Sequence, residues 1–534
     1  MSTTAAPPPG AQAEVQQADP RRWLGLGVLC FSLLLIVVDN TIVNVALPTL
    51  QRELNATTSQ LQWVVDSYIL VFAGLLLTAG SLGDKFGRKR ALNLGLVIMA
   101  GASALSALAD SADQLIATRA LLGVGAALVM PATLSILTNL FTDPKERGRA
   151  IAIWAGTAGM AVAIGPVTGG WLLDNYAWGA VFLVNIPVVV LAMVGGWRLL
   201  PESRDEHAPR LDTVGALLSI VSLVALVWTI IEAPNEGWTS TITLAGFAVS
   251  AVLLAAFVAW ERRVDEPMLD MSFFRNRRFT AASIAITLTF FAMFGSFFLM
   301  TQYLQLVLGY GPLEAGVRLL PMAGVMMVVA PSSARLTETV GTKAVVTSGL
   351  VISAISLMLG SFLTAGGGYL PVLAVLMTLS VGMGLTMAPA TESIMGSLPP
   401  EKAGVGSAVN DTTRELGGAL GVAVLGSLMA STYRDRMLDA VTALPGEAAA
   451  AAQQSLGAAV QLAGSVGGEP GRQLFTDATH AFVDGMSNGF RVGALAAVIG
   501  AVITAITLPA RAEEAKDPTF GSTDDETAGS SIPV

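Results

Sequence analysis

Fourteen stretches of this chain are continuously apolar for about 20 to 28 residues each, and nothing else in it constrains the fold as strongly. A hydrocarbon layer about 30 Å thick is crossed by about 20 helical residues. Within that layer every backbone N–H and C=O must be satisfied by the protein itself, so only helices and closed barrels can cross. Barrel strands alternate apolar and polar residues, and these stretches do not. The sequence therefore predicts an all-α integral membrane protein with fourteen transmembrane helices. The spans fall at 23–47, 61–83, 91–109, 114–140, 149–173, 178–200, 211–232, 241–261, 279–307, 313–335, 344–364, 370–393, 403–430 and 488–510. Of 534 residues, 53% are hydrophobic and 13% charged, which leaves little chain for a soluble domain. The first stretch follows Arg21-Arg22 and carries Asp39 and Asn44. It exceeds the roughly 7–15 apolar residues of a cleavable signal and reads as a retained helix.

Lysine and arginine set the orientation. The connectors after spans 2, 4, 6 and 8 carry Lys85/Arg88/Lys89/Arg90, Lys145/Arg147/Arg149, Arg204/Arg210 and Arg262/Arg263/Arg275/Arg277/Arg278. Those after spans 1, 3, 5, 7, 9 and 11 contain only Arg52. The positive-inside rule then places the even-numbered connectors and both termini in the cytoplasm. The Ala-, Gly- and Arg-rich usage suggests a GC-rich bacterium, so the expected location is a bacterial inner (plasma) membrane, crossed many times.

Several function classes recede. The net charge of −9 lies largely in loops and in the tail after Arg511, and points to neither an acidic partner nor a nucleic acid. Cys30 stands alone, so no intramolecular disulfide can form. His207 and His480 fall in connectors, and no metal-ligand cluster is visible. Without a G-x-x-x-x-G-K-[ST] loop, ATP is not the expected energy source. A proton gradient can serve instead, since the membrane potential supplies about 2.3 kcal/mol per charge per 100 mV; no cofactor is expected. No catalytic constellation marks an enzyme. The tails 1–20 and 511–534 have compositions expected of disordered segments. The long outside loop, 431–487, contains an Ala-rich stretch, 446–463, that suits an amphipathic helix or hairpin on the membrane surface, as a cover or spacer.

Between spans 2 and 3 runs Gly80-Ser81-Leu82-Gly83-Asp84-Lys85-Phe86-Gly87-Arg88-Lys89-Arg90. This glycine-bracketed loop resembles the signature of the major facilitator superfamily of secondary transporters. Three more strings fit at the right spans. Arg119-Ala120-Leu121-Leu122-Gly123-Val124-Gly125 resembles its R-x-x-x-G-x-G motif, and Gly165-Pro166-Val167-Thr168-Gly169-Gly170 its antiporter motif. Asp39-Asn40-Thr41-Ile42-Val43-Asn44 is similar to the first-helix string of the fourteen-helix drug:proton antiporters. The resemblance implies two six-helix bundles, at 21–200 and 277–510, with two extra helices and linkers inserted at 201–276. A faint second copy of the loop motif, Arg335-Leu336…Gly341-Thr342-Lys343, is what an internal repeat predicts. It lacks most of the charges. The resemblance also implies conformational roles for Gly80, Asp84, Gly87, Arg88 and Lys89, as a charge relay latching the outward-facing state. It implies close packing and a bend at Gly165, Pro166 and Gly169.

Ionisable groups inside spans are costly and mark cavities or partners. Asp39, Asp66, Arg119, Arg318, Asp411, Arg414 and Glu415 are expected to be embedded. Burial disfavours a charged carboxylate and a nearby cation favours it, so Asp39 or Asp66 is expected to carry the proton, with Arg119 tuning it. A static ion pair holding spans 1, 2 and 4 is the bland alternative. Asn40, Thr41 and Asn44 share one arc of span 1, either lining a cavity or, by preference, bonding neighbouring helices. Span 13 carries Ser407, Asn410, Asp411, Arg414, Glu415 and Gly418 on one face. Asp411 and Arg414 can pair locally, with Arg414 in a gate-closing role. Glu415 is left to accept a cationic substrate, carry a second proton, or meet Arg318 or a loop base. In span 9, Phe290 and Phe294 share a face with Phe297 and Phe298 ahead of Gln302, facing either a substrate pocket or lipid. The expected function is a proton-coupled antiporter, a monomer, exporting hydrophobic and often cationic drugs, dyes, antibiotics or biocides by alternating access. The alternatives are a dedicated exporter of one endogenous metabolite and a transporter-like sensor without flux.

Overall fold

The computed structural model describes residues 21–204, 212–398, 403–442 and 444–509. Fourteen helices in it are long and apolar enough to cross a membrane. They are α1 (Arg22–Glu53), α2 (Thr58–Phe86), α3 (Arg88–Ala107), α4 (Ala112–Leu140), α5 (Pro144–Asn175), α6 (Ala180–Leu199, broken at Val184), α7 (Thr213–Glu236) and α8 (Thr241–Glu261). There follow α9 (Arg277–Val307, closing in a π-helical turn), α10 (Pro312–Val340), α11 (Thr342–Gly360), α12 (Tyr369–Met395) and α13 (Ala403–Ala440). Two short helices, α14 (Gly446–Gln454) and α15 (Leu456–Val466), precede the last span, α16 (Gly468–Thr507).

The helix starts are written in the sequence. Thr57 and Gln60 form a capping box on α2, at 3.2 and 3.0 Å. Ser111, Asp143, Asp212, Ser240 and Asn276 each accept backbone N–H bonds at the starts of α4, α5, α7, α8 and α9.

Helices α1–α6 pack on one another, and α9–α13 pack with α16, giving two six-helix bundles. The inserted α7 lies against both α2 and α13, while α8 packs chiefly on α7. The two bundles repeat a packing device. A Cβ on Gly95 would stand 2.7 Å from the Gly125 carbonyl oxygen, where α3 meets α4. A Cβ on Gly349 would stand 2.7 Å from the Gly382 carbonyl oxygen, where α11 meets α12. Small residues at such crossings let backbones approach closely in lipid.

The region 431–487 departs from the expected outside loop. Helix α13 runs on to Ala440 and α16 already begins at Gly468. Arg434, Asp435, Arg436, Asp477 and Asp484 lower the hydropathy there. An apolar stripe nevertheless continues through Tyr433, Met437, Leu474, Ala478 and Phe482, all buried, and Arg436 pairs with Asp484 at 3.3 Å. The Ala-rich stretch forms the short helices α14 and α15. Helices α14 and α15 bury Ala452, Leu456, Ala459 and Ala463 over the ends of neighbouring helices. Thr58 Oγ1 of α2 donates to the Gln454 carbonyl at 2.9 Å, and the Gly457 N–H donates to Gln51 Oε1 of α1 at 3.2 Å.

The molecule has a basic end, with the cationic connectors, and a far end. Among the described residues, every hydrogen bond joining the two bundles lies toward the far end. Gln62 Nε2 of α2 donates to the Val422 and Ala423 carbonyls of α13 at 3.1 and 3.0 Å. Gln305 Nε2 of α9 donates to the Val45 carbonyl at 2.8 Å. Asp174, at the end of α5, accepts from the Leu313 N–H in the first turn of α10 at 3.3 Å. Toward the basic end, α5 and α10 carry exposed apolar side chains, Ile153, Met160, Met327, Val328 and Leu336.

Candidate functional site

Five of the first six helices meet in the network around one buried carboxylate. Asp39 Oδ2 on α1 pairs with Arg119 Nη1 on α4 at 2.5 Å, with exposures of 1% and 0%. Asn185 Nδ2 on α6 donates to Asp39 Oδ1 at 2.7 Å and lies 3.1 Å from Ser103 Oγ on α3. Arg119 Nε donates to the Val64 carbonyl of α2 at 3.1 Å, and its guanidinium lies 4.5 Å from the centre of the Tyr68 ring. Both oxygens of Asp39 are therefore partnered.

Asp66, on α2, is its opposite. It is fully buried, and neither carboxyl oxygen has a hydrogen-bond partner among the described residues. Arg119 pairs with Asp39 and not with it. Asp66 lies four residues along α2 from Gln62, so the two share a helix face, one turn apart. A lone ionised carboxylate in such a place is far costlier than a partnered one, and a proton or a bound cation removes that cost.

A second constellation joins α13, α9 and α12. Asp411 and Arg414 form the expected local pair, at 3.6 Å. Arg414 Nη2 also donates to Thr391 Oγ1 of α12 at 3.2 Å, and its guanidinium lies 5.6 Å from the Phe290 ring centre. Phe290 and Phe294 stack at 6.2 Å, and Gly418 admits the Phe294 ring against α13. These two rings face α13 rather than lipid. Glu415 Oε2 is buried without a partner.

Two expectations fail. Arg318 does not reach Glu415: it pairs with Glu314 at 2.7 Å near the far end and lies 3.8 Å from the Tyr310 ring centre. Asn44 does not bond a neighbouring helix. Its Nδ2 donates to the Asn40 carbonyl at 3.0 Å, and Thr41 Oγ1 donates to Val37 and Val38, because a short polar side chain reaches the preceding turn more readily than another helix. Gln302 is buried, and its Nε2 donates to the Phe298 carbonyl of its own helix at 2.9 Å.

The loop between α2 and α3 is tied within the first bundle. Asp84 and Arg88 pair at 2.7 Å. Lys89 Nζ donates to the Leu200 carbonyl at 2.7 Å, and the Lys89 N–H donates to Glu202 Oε1 at 3.0 Å. Gly87 has φ +117°, and a Cβ there would strike the Glu202 carboxylate. Gly80 has ordinary room against Pro131. The run from Gly165 fits α5 onto two helices. A Cβ at Gly165 would collide with Thr41 of α1, and one at Gly170 with the Pro312-Leu313 backbone of α10. Across the same contact, a Cβ at Gly316 would collide with the Pro166 carbonyl.

The sequence reading missed Asn185, Ser103 and Gln62. Asn185 had a signal, as the only amide in its apolar span.

Two six-helix bundles, an inserted helix pair and charged groups buried between spans describe a transporter scaffold. A family model described as Major Facilitator Superfamily matches residues 29–422. The chain belongs to the major facilitator superfamily. Among curated members it is 36% identical to the multidrug efflux pump LfrA of Mycolicibacterium smegmatis, over 91% of this chain and 96% of that one. It is 34% identical to the tetracenomycin C resistance and export protein of Streptomyces glaucescens, over 92% and 93%. It is 33% identical to the methyl viologen resistance protein SmvA of Salmonella typhimurium, over 87% and 93%. Among solved structures, the fold matches a bacterial homolog to the human lysosomal transporter Spinster in an inward-facing, unoccupied conformation. The TM-score is 0.64 at 18% identity, over 92% of this chain and 97% of that one.

Proposed function

We propose that this superfamily member is a proton-coupled antiporter that exports hydrophobic, often cationic compounds across a bacterial plasma membrane. The basic end is cytoplasmic on this reading, in keeping with the lysine and arginine distribution. The hydrogen bonds that join the bundles toward the far end, with the exposed apolar faces of α5 and α10 toward the basic end, fit an inward-facing state on this reading. We take 21–200 and 277–510 as the two moving units, 201–276 as the inserted unit, and the monomer as the working form.

The observation that carries the coupling is the partnerless Asp66 carboxyl, one turn from the Gln62 amide that ties α2 to α13. In this reading Asp66 holds the proton while the far end is closed. Losing it places a charge beside the α2–α13 seam and favours separation there. Asp39 and Arg119 form the fixed reference that orients α2 through the Val64 carbonyl. Glu415, next in sequence to Arg414 and three residues before Gly418, which meet the Phe290 and Phe294 rings, is the acid that receives a cationic substrate, with the rings supplying apolar and cation–π contact. Asp411 and Arg414 hold the neighbouring helix ends together until substrate displaces them. The energy source is the proton gradient, and no cofactor takes part.

Ethidium uptake into everted vesicles tests this. Wild type accumulates dye when a proton gradient is imposed, and a protonophore stops it. Asp66→Asn binds dye but shows no gradient-driven uptake. Uptake by Asp66→Asn equal to wild type would remove the coupling role.

A further inference from the structure

The second copy of the loop motif has no part in the transport reading above. In the first copy Gly87 opens α3, and the base two residues on, Lys89, donates through Nζ to the Trp197 and Leu200 carbonyls at the end of α6, while Glu202 accepts from its backbone N–H. In the second copy Gly341, with φ +88°, opens α11 in the same way, and Lys343 stands where Lys89 stood. Lys343 has no ion pair and no side-chain hydrogen bond among the described residues, and no side chain caps the N-terminus of α11.

Beside Lys343 a groove of about 530 Å³ opens between α10, α11 and α16. Its walls are mainly apolar, from Val340, Ala344, Val351, Ile352 and Ala505. Thr347 lines it too, and the Thr347 hydroxyl is buried without a hydrogen-bond partner. Lys343, Thr347 and Val351 succeed one another at four-residue intervals on one face of α11. Descending from the basic end, that face presents a cation, then a free hydroxyl about 6 Å deeper, then apolar surface. A glycerophospholipid presents phosphate, ester oxygens and acyl chain in the same order.

We propose that this groove is a site for one anionic phospholipid of the leaflet at the basic end. The phosphate meets Lys343 and the free N–H groups of the first turn of α11, an arrangement suited to anions. The Thr347 hydroxyl donates to an ester oxygen, and an acyl chain lies along Val351 and Ile352. The chain's own acidic tail beyond 510 offers charge for Lys343, but its polar residues do not suit apolar walls at membrane depth. Where the first bundle closes its motif with Glu202, the second borrows an anion from the bilayer.

Native mass spectrometry of the purified full-length protein with added phosphatidylglycerol or phosphatidylcholine tests the site. Wild type retains one phosphatidylglycerol in preference to phosphatidylcholine. Lys343→Gln weakens that retention about fivefold, as loss of one lysine near an anionic surface does, and Lys343→Arg restores it. Ala344→Trp, which fills the groove and keeps the charge, also expels the lipid, while Lys89→Gln leaves it bound. Equal retention by wild type and Lys343→Gln would overturn the proposal. So would a full-length chain that binds phosphatidylglycerol only after residues 513–534 are removed, since the tail would then be the occupant.

Discussion

At the residue scale the two acids of the first bundle have opposite environments. Asp39 is held from two sides, by Arg119 and Asn185, whereas Asp66 is held by nothing. Removing one partner of a buried ion pair leaves the other charge uncompensated and costs about 3–5 kcal/mol. Asp39→Asn is therefore expected to lower the thermal midpoint of the purified protein markedly. Asn185→Ala, which strips one hydrogen bond from a charged group, costs less, about 1–3 kcal/mol. Asp66→Asn is expected to leave the midpoint at or above that of wild type. A drop for Asp66→Asn as large as for Asp39→Asn would mean that Asp66 has a structural partner. The sequence showed which residues were ionisable in apolar runs. It did not show which acid Arg119 chooses, because that depends on the rotation of α1, α2 and α4 about their axes. Asn44 illustrates the same limit: its position on an arc was readable, its bond to the preceding turn was not.

At the element scale, glycines separate into those the backbone requires and those it does not. Gly87 sits at φ +117° against Glu202, where a left-handed backbone alone costs an L-residue roughly 1–2 kcal/mol. Gly87→Ala is expected to displace Glu202 and loosen the α2–α3 loop from the end of α6. Gly80→Ala, with Pro131 at 3.6 Å from the new Cβ, is expected to be tolerated. Proteolysis at Arg88 to Arg90 in the purified variants reads this out, and equal cleavage of the two would contradict it. All fourteen spans were legible, since hydropathy and capping residues act over a single helix. The extensions of α13 and α16 were not, because Arg434, Asp435 and Asp484 mask an apolar stripe that only the partner helix reveals.

At the scale of the whole molecule the hydrogen bonds between the two bundles come from the Gln62 and Gln305 amides and from Asp174. Gln62, Gln305 and Gln51 each hydrogen-bond the backbone across the seam or to its cover. Gln62→Leu keeps the volume and removes the bonds to Val422 and Ala423, so it is expected to raise the share of molecules open at the far end. Spin labels on α5 and α10 at the far end would show the longer distance, and an unchanged distribution would place the latch elsewhere. The two-bundle architecture could be read from the sequence through a resemblance, while the state in which the bundles rest could not, because it depends on contacts between residues hundreds of positions apart.

Proton release on substrate binding tests the exchange most directly. Purified protein in weakly buffered detergent solution, titrated with tetraphenylphosphonium, is expected to release protons in wild type. Asp66→Asn is expected to bind the cation with no release from that site, and Asn185→Ala to release as wild type does. Undiminished release from Asp66→Asn would show that the proton leaves another group and would contradict the coupling described above.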